Sequence, residues 1–211
     1  MTITISRLYD NYSDAERAVT RLESAGVPHS DISIVANNSD NWYGSQRGKV
    51  DRDRDGVDDR AESAGAGAGI GAGIGGAAGL LAGLGMLAIP GLGPVVAAGW
   101  LASTAAGAAA GAATGGIVGA LTQAGVSKED ASRYAEGVRR GGTLVSARVP
   151  DADRPRLDAL LHERSVNLQD RSSAWQKAGW TDFDAASPPL SPEDIGRERE
   201  LYGAPGRRSD L

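Results

Sequence analysis

From Ser63 to Ser127 the chain carries no charged side chain, and no other feature narrows its possible folds as much. Eighteen of its 30 glycines fall between Gly65 and Gly119. Gly67, Gly71, Gly75, Gly79 and Gly83 recur every four residues, and Gly107, Gly111, Gly115 and Gly119 repeat that spacing. A period of four places such residues on one face of a helix. A face without side chains lets a second helix backbone approach closely, the small-xxx-small packing common in membranes. Each interior glycine costs a helix about 1 kcal/mol relative to alanine, so a regular series implies that close packing offsets the cost.

Two apolar arms, about 64–89 and 95–121, flank Ile89-Pro-Gly-Leu-Gly-Pro94, whose prolines and glycines spell a turn. The expectation is an antiparallel α-helical hairpin over residues 63–123. An arm of about 26 residues would be about 39 Å long, enough for a hydrocarbon core of about 30 Å. The lipophilic residues, however, concentrate in Leu80–Ile89 and Leu92–Leu101. Two readings therefore stand. In one, the hairpin docks on or inserts into the inner membrane from its cytoplasmic face, with lipid as partner. In the other, the chain is a soluble homo-oligomer whose hairpins form the shared core. Gly71-x-Gly73-x-x-Gly76 also fits the dinucleotide fingerprint, but without the strand before it or the later acidic residue that the fingerprint needs.

The flanking sequence has a different character. All 49 charges lie outside the charge-free run, on about a third of the remaining residues. Residues 1–36 read as strand, helix, strand. Ile3 and Ile5 alternate with polar residues, Ser13-Asp-Ala-Glu16 reads as a capping box, and Gly26 stops the helix before a strand at Asp31–Ala36. Residues 124–172 repeat the order. A helix opens at Ser127, Val145, Ala147 and Val149 alternate in a strand, Leu157, Leu160 and Leu161 mark a helix, and Val166 and Leu168 make a short last strand. Two such halves imply an α+β, ferredoxin-like split βαβ domain, with four antiparallel strands and helices on one face, interrupted by the Gly/Ala hairpin. A polar tail, 173–211, follows. Its Trp175, Trp180 and Phe183 either meet a partner groove or lay the tail over its own domain.

Between the first half and the hairpin, residues 37–62 are polar and end in an acidic run. Asp51, Asp53, Asp55, Val57, Asp59 and Glu62, with Gly56 at the sharp turn, match the twelve-residue calcium-loop pattern. Calcium takes six to eight hard oxygens, which this many carboxylates and the Val57 carbonyl would supply. The other reading is a solvated linker of alternating charge that keeps the base of the hairpin in water.

Several function classes are excluded or disfavoured. The chain has no cysteine, which removes disulfide staples and zinc–cysteine sites. A net charge of −5 argues against a dedicated nucleic-acid binder. The N-terminal residues lack the basic and long apolar regions of a signal peptide, so a protein of the cytoplasm or of the cytoplasmic face of the inner membrane is expected. His29 and His162 stand alone, and no nucleophile–base set or phosphate loop is present, so no enzymatic activity is expected.

The opening Thr-Ile-Ser-Arg-Leu-Tyr-Asp-Asn-Tyr-Ser-Asp-Ala-Glu-Arg-Ala-Val, with Gly26-Val-Pro and Asp31-Ile-Ser-Ile-Val, resembles the bacterial general stress protein 17M-like (heat-induced stress protein) domain family. Gly125-Val-Ser-Lys-Glu-Asp-Ala, Tyr134-Ala-Glu-Gly-Val and Gly141-Gly-Thr-Leu-Val145 are similar to members with a glycine-zipper insertion. Such members join an Asp-rich run to the apolar hairpin, as Asp51–Gly56 does here. The resemblance covers about 1–172 and implies a stress-linked, non-enzymatic protein with no established ligand.

Overall fold

A computed structural model describes residues 1–43, 85–89, 91–109 and 116–202. Among these are five strands and seven α-helices. The strands are β1 (Thr2–Tyr9), β2 (Ile32–Asn37), β3 (Gly85–Ile89), β4 (Gly93–Gly99) and β5 (Thr143–Pro150). The helices are α1 (Tyr12–Ser24), α2 (Trp100–Ala109), α3 (Gly116–Gln123), α4 (Lys128–Arg139), α5 (Arg154–His162), α6 (Leu168–Lys177) and α7 (Pro192–Tyr202).

The sheet is antiparallel throughout, in the order β1-β5-β2-β4-β3. β5 lies between β1 and β2, and α1 links those two strands. β1 pairs with β5 over its whole length, from Thr2 opposite Pro150 to Tyr9 opposite Thr143. Every residue of β2 is buried, and of β5 only Arg148 and Pro150 are not. Central strands buried on both sides demand cover on both sides. The expected single layer of helices is therefore two. α1 and α5 cover the face of Ile5, Ile32, Ile34, Val145 and Val149. Leu101 of α2, Ile117 and Leu121 of α3, Ala131 and Val138 of α4, and Trp175 of α6 cover the opposite face with Leu8, Val35, Val95 and Leu144.

Local chemistry explains the helix ends. α1 starts on Asn11, whose side chain accepts the Asp14 N–H at 2.9 Å, so the cap sits two residues before the expected Ser13. Ser127 caps α4 through the Asp130 N–H, as its sequence indicates. Gly141, with φ at +98°, ends α4, and the Gly142 N–H returns to the Gly137 carbonyl, the Schellman closure.

Two expected elements are replaced. No strand forms at Val166–Leu168. The Asn167 side chain accepts the N–H groups of Gln169 and Asp170, so Leu168 opens α6. One tie to the expected edge is present, the Val166 N–H donating to the Leu8 carbonyl of β1 at 2.7 Å. The second replacement lies within the expected helical hairpin. The turn is where the sequence places it, but strands flank it: β3 pairs with β4, and β4 docks on β2 with Val95 opposite Asn37 and Gly99 opposite Ser33. The Leu92 N–H closes on the Ile89 carbonyl, and Gly91 has φ at +76°, a backbone conformation that favours glycine. Val95 and Val96 suit a pleated surface, and β2 offers them an edge. The second arm is thus strand β4, then α2, then α3, and not one continuous helix.

Candidate functional site

The residues proposed for calcium, Asp51, Asp53, Asp55, Val57, Asp59 and Glu62, lie outside the described residues, as do Gly67, Gly71, Gly75, Gly79, Gly83, Gly111 and Gly115. Gly107 falls in α2 and Gly119 in α3. The two helices pack beside each other. At ten and eight residues, they are about 15 Å and about 12 Å long. Among the described residues no helix is long and apolar enough to cross a membrane. No group of three or more potential metal ligands occurs among them either.

The root of the Gly/Ala segment is well defined. The 44–84 stretch leaves after β2 and returns into β3, so both of its ends belong to one sheet. The second arm leaves β4 through Gly99, which has φ at +86° and turns the chain from strand into α2. No side chain next to α2 in sequence caps it. Ser33 of β2 does so instead: its hydroxyl accepts the Leu101 N–H at 3.1 Å and donates to the Ala98 carbonyl at 2.8 Å. A buried serine hydroxyl from another strand therefore holds the start of α2.

The chain after α6 lies over its own domain. Trp175 is fully buried, and Trp180 and Phe183 pack half-buried against the same core. Phe183, Ala185 and Pro189 run across the β3–β4 turn, so close that a Cβ on Gly91 would lie 2.8 Å from Phe183 and Ala185, and one on Gly93 2.8 Å from Pro189. Ile195 of α7 seats on Gly141 in the same way. Ser132 of α4 bonds Asp182 and receives the Phe183 N–H at 2.9 Å. Arg139 donates to the Pro188 carbonyl at 3.2 Å.

An ionic cluster joins α4 to α7. Glu136, 1% exposed, accepts from Arg140 Nε at 2.5 Å and meets Arg139 at 3.4 Å. Arg140 lies over the Trp175 ring at 5.2 Å and pairs with Glu198 at 2.7 Å. Arg199 bonds Asp40 and donates to the Gly141 carbonyl at 3.3 Å. A cavity of about 10 Å³, the room of one water, lies between these groups and the sheet. Trp175 and Glu198 both line it, and each has a buried polar atom with no protein partner, Nε1 and Oε2. At the start of α7 the Ser191 hydroxyl bonds Asp194 and holds its carboxyl below the usual range.

Sequence reasoning missed this cluster. Its one local signal is Glu136-x-x-Arg139-Arg140, a helical i,i+3 and i,i+4 spacing. Asp40, Glu198 and Arg199 come from distant positions and gave none. Comparison with protein-family models, curated proteins and solved structures found no match for this chain.

Proposed function

We propose that this chain is a non-enzymatic protein of the bacterial stress response, with a ferredoxin-like split βαβ head that presents its Gly/Ala segment for close helix packing against a second copy. The position of β5 between β1 and β2, with Val166 tied to β1 where a fourth strand would lie, supports the ferredoxin-like reading of the head. The stress link rests on the sequence resemblance alone.

The observation that carries the choice of partner is the shared sheet at both ends of 44–84. An excursion through a bilayer from one sheet must cross twice, at about 20 apolar residues per crossing. Ser63–Leu84 offers 22 charge-free residues, enough for one crossing. Much of the second arm is already engaged, since Leu101, Ile117 and Leu121 lie in the core of the head. These points favour self-association over a spanning hairpin and reduce membrane association to surface contact.

Light scattering on detergent-free chain tests the reading. The native protein should run as a defined multiple of 21.6 kDa, and Gly75→Leu with Gly111→Leu should lower that mass. A native monomer, or recovery only from detergent-solubilised membranes, refutes it.

A further inference from the structure

The cavity between the ionic cluster and the sheet has polar groups that point to an occupant. We propose that it is a built site for one water molecule, held between Trp175 Nε1 of α6 and Glu198 Oε2 of α7. Trp175 then stands there for its N–H as well as for its ring. Such a joint lies within one chain and is independent of self-association.

Size sets the first limit. About 10 Å³ admits one water and nothing larger. Gly137, Gly141 and Gly142 line the space with bare backbone. A Cβ on Gly137 or Gly142 would collide with Leu8 or the Gly137 carbonyl, and one on Gly141 with Ile195, so no side chain can be added there to fill it. Charge sets the second limit. Arg140, Arg171 and Arg199 also line the cavity, and each is already engaged: Arg140 with Glu136 and Glu198, Arg171 with Asp10 at 2.8 Å, and Arg199 with Asp40. A cation would face these guanidinium groups and the Trp175 N–H, which can only donate. An anion would face the Glu198 carboxylate, which can only accept. A water does both, accepting from Nε1 and donating to Oε2.

The two groups have no other way to be satisfied. Among the described residues neither Nε1 nor Oε2 has a hydrogen-bond partner, and both atoms are buried. Trp175 is 1% exposed, with its ring held against Arg140 at 5.2 Å and Trp180 at 5.9 Å, so the indole does not turn out to solvent. Glu198 is held by the bond from Arg140 Nη1 to its Oε1 at 2.7 Å. A buried donor and a buried carboxylate oxygen left unpaired both cost stability, and one bridging water removes both penalties. Two hydrogen bonds are the fewest that hold a buried water. The water joins α6 to α7, a joint that phenylalanine at position 175 would not make.

Two magnetic-resonance measurements on the full chain test this, with solvent water as the probe. In the native chain with nitrogen-labelled tryptophan, the Trp175 indole proton is assigned by its loss in Trp175→Phe. It should give water cross-peaks of opposite sign in the laboratory and rotating frames, the mark of a resident water. Cross-peaks of the same sign, or none, overturn the site. Relaxation dispersion of the water oxygen should count one long-lived water fewer in Trp175→Phe and in Glu198→Met than in the native chain. A count unchanged in either variant, its fold intact by circular dichroism, overturns the bridge. Arg197→Gln, whose pair with Asp194 lies inside α7 and away from the cavity lining, should keep the native count, and a drop there as well overturns the assignment to this cavity. If a variant unfolds, the cross-peaks of the native chain decide alone.

Discussion

Gly99 is the position at which one methyl group should do the most damage. Its φ of +86° already disfavours any L side chain. A Cβ there would run into the Ile32 carbonyl oxygen and stand 2.8 Å from Ser33 Cα and 3.1 Å from the Ile32 carbonyl carbon. These are backbone atoms of a strand paired on its other side to β5, with Ile32 opposite Ala147 and Ser33 opposite Ser146. They cannot move aside without disturbing the centre of the sheet. Gly125 is the matched control, with φ at +90° and nothing within 4 Å of an added Cβ. Both alanine variants lose about 1–2 kcal/mol to the left-handed backbone. Gly99→Ala adds overpacking of about 1–3 kcal/mol. It also displaces the Ser33 bonds to Ala98 and Leu101, worth about 1 kcal/mol each. The totals are about 4–7 kcal/mol against about 1–2 kcal/mol. In urea, with a slope of about 2 kcal/mol per molar, the midpoint should fall by about 2–3.5 M for Gly99→Ala and by at most about 1 M for Gly125→Ala. Trp100, next in the chain, offers a local fluorescence probe. Equal midpoints for the two variants would refute the docking of β4 on β2 at this register.

Two further outcomes follow from named groups. Tyr9 donates to the Leu161 carbonyl at 2.5 Å and Tyr134 to the Ser6 carbonyl at 2.6 Å, and burial raises the pKa of both. The folded chain keeps protons that the unfolded chain releases above pH 10.0, so their contribution is intact below that pH and is lost as pH rises toward the folded values. Stability should fall by up to about 1.4 kcal/mol per pH unit for each tyrosine, and urea midpoints that do not change between about pH 9 and about pH 11 would contradict this. The calcium reading of 51–62 predicts heat on titrating calcium into the native chain and none with Asp51→Asn/Glu62→Gln; a silent native chain ends it.

Periodicity and local caps alone determined much of the head. β1, β2 and β5 alternate as written, α1, α4 and α5 carry their apolar stripes, and Gly26 and Gly141 end helices where they stand, because each signal is contained within a few neighbouring residues. The tail aromatics were readable as a cluster, but the choice between partner and self was not, since it depends on the surface that Leu8, Gly91 and Gly141 create together. Tertiary structure alone decided three matters. Residues 85–89 and 93–99 became strands and not helix because β2 offers an open edge, a partner about sixty residues away that no local window contains. Helices cover both faces because two central strands are buried on both sides. α2 starts where it does because Ser33, from another strand, accepts its N–H. Short-range chemistry is written in consecutive residues; edges, seats and borrowed caps exist only once distant segments have met.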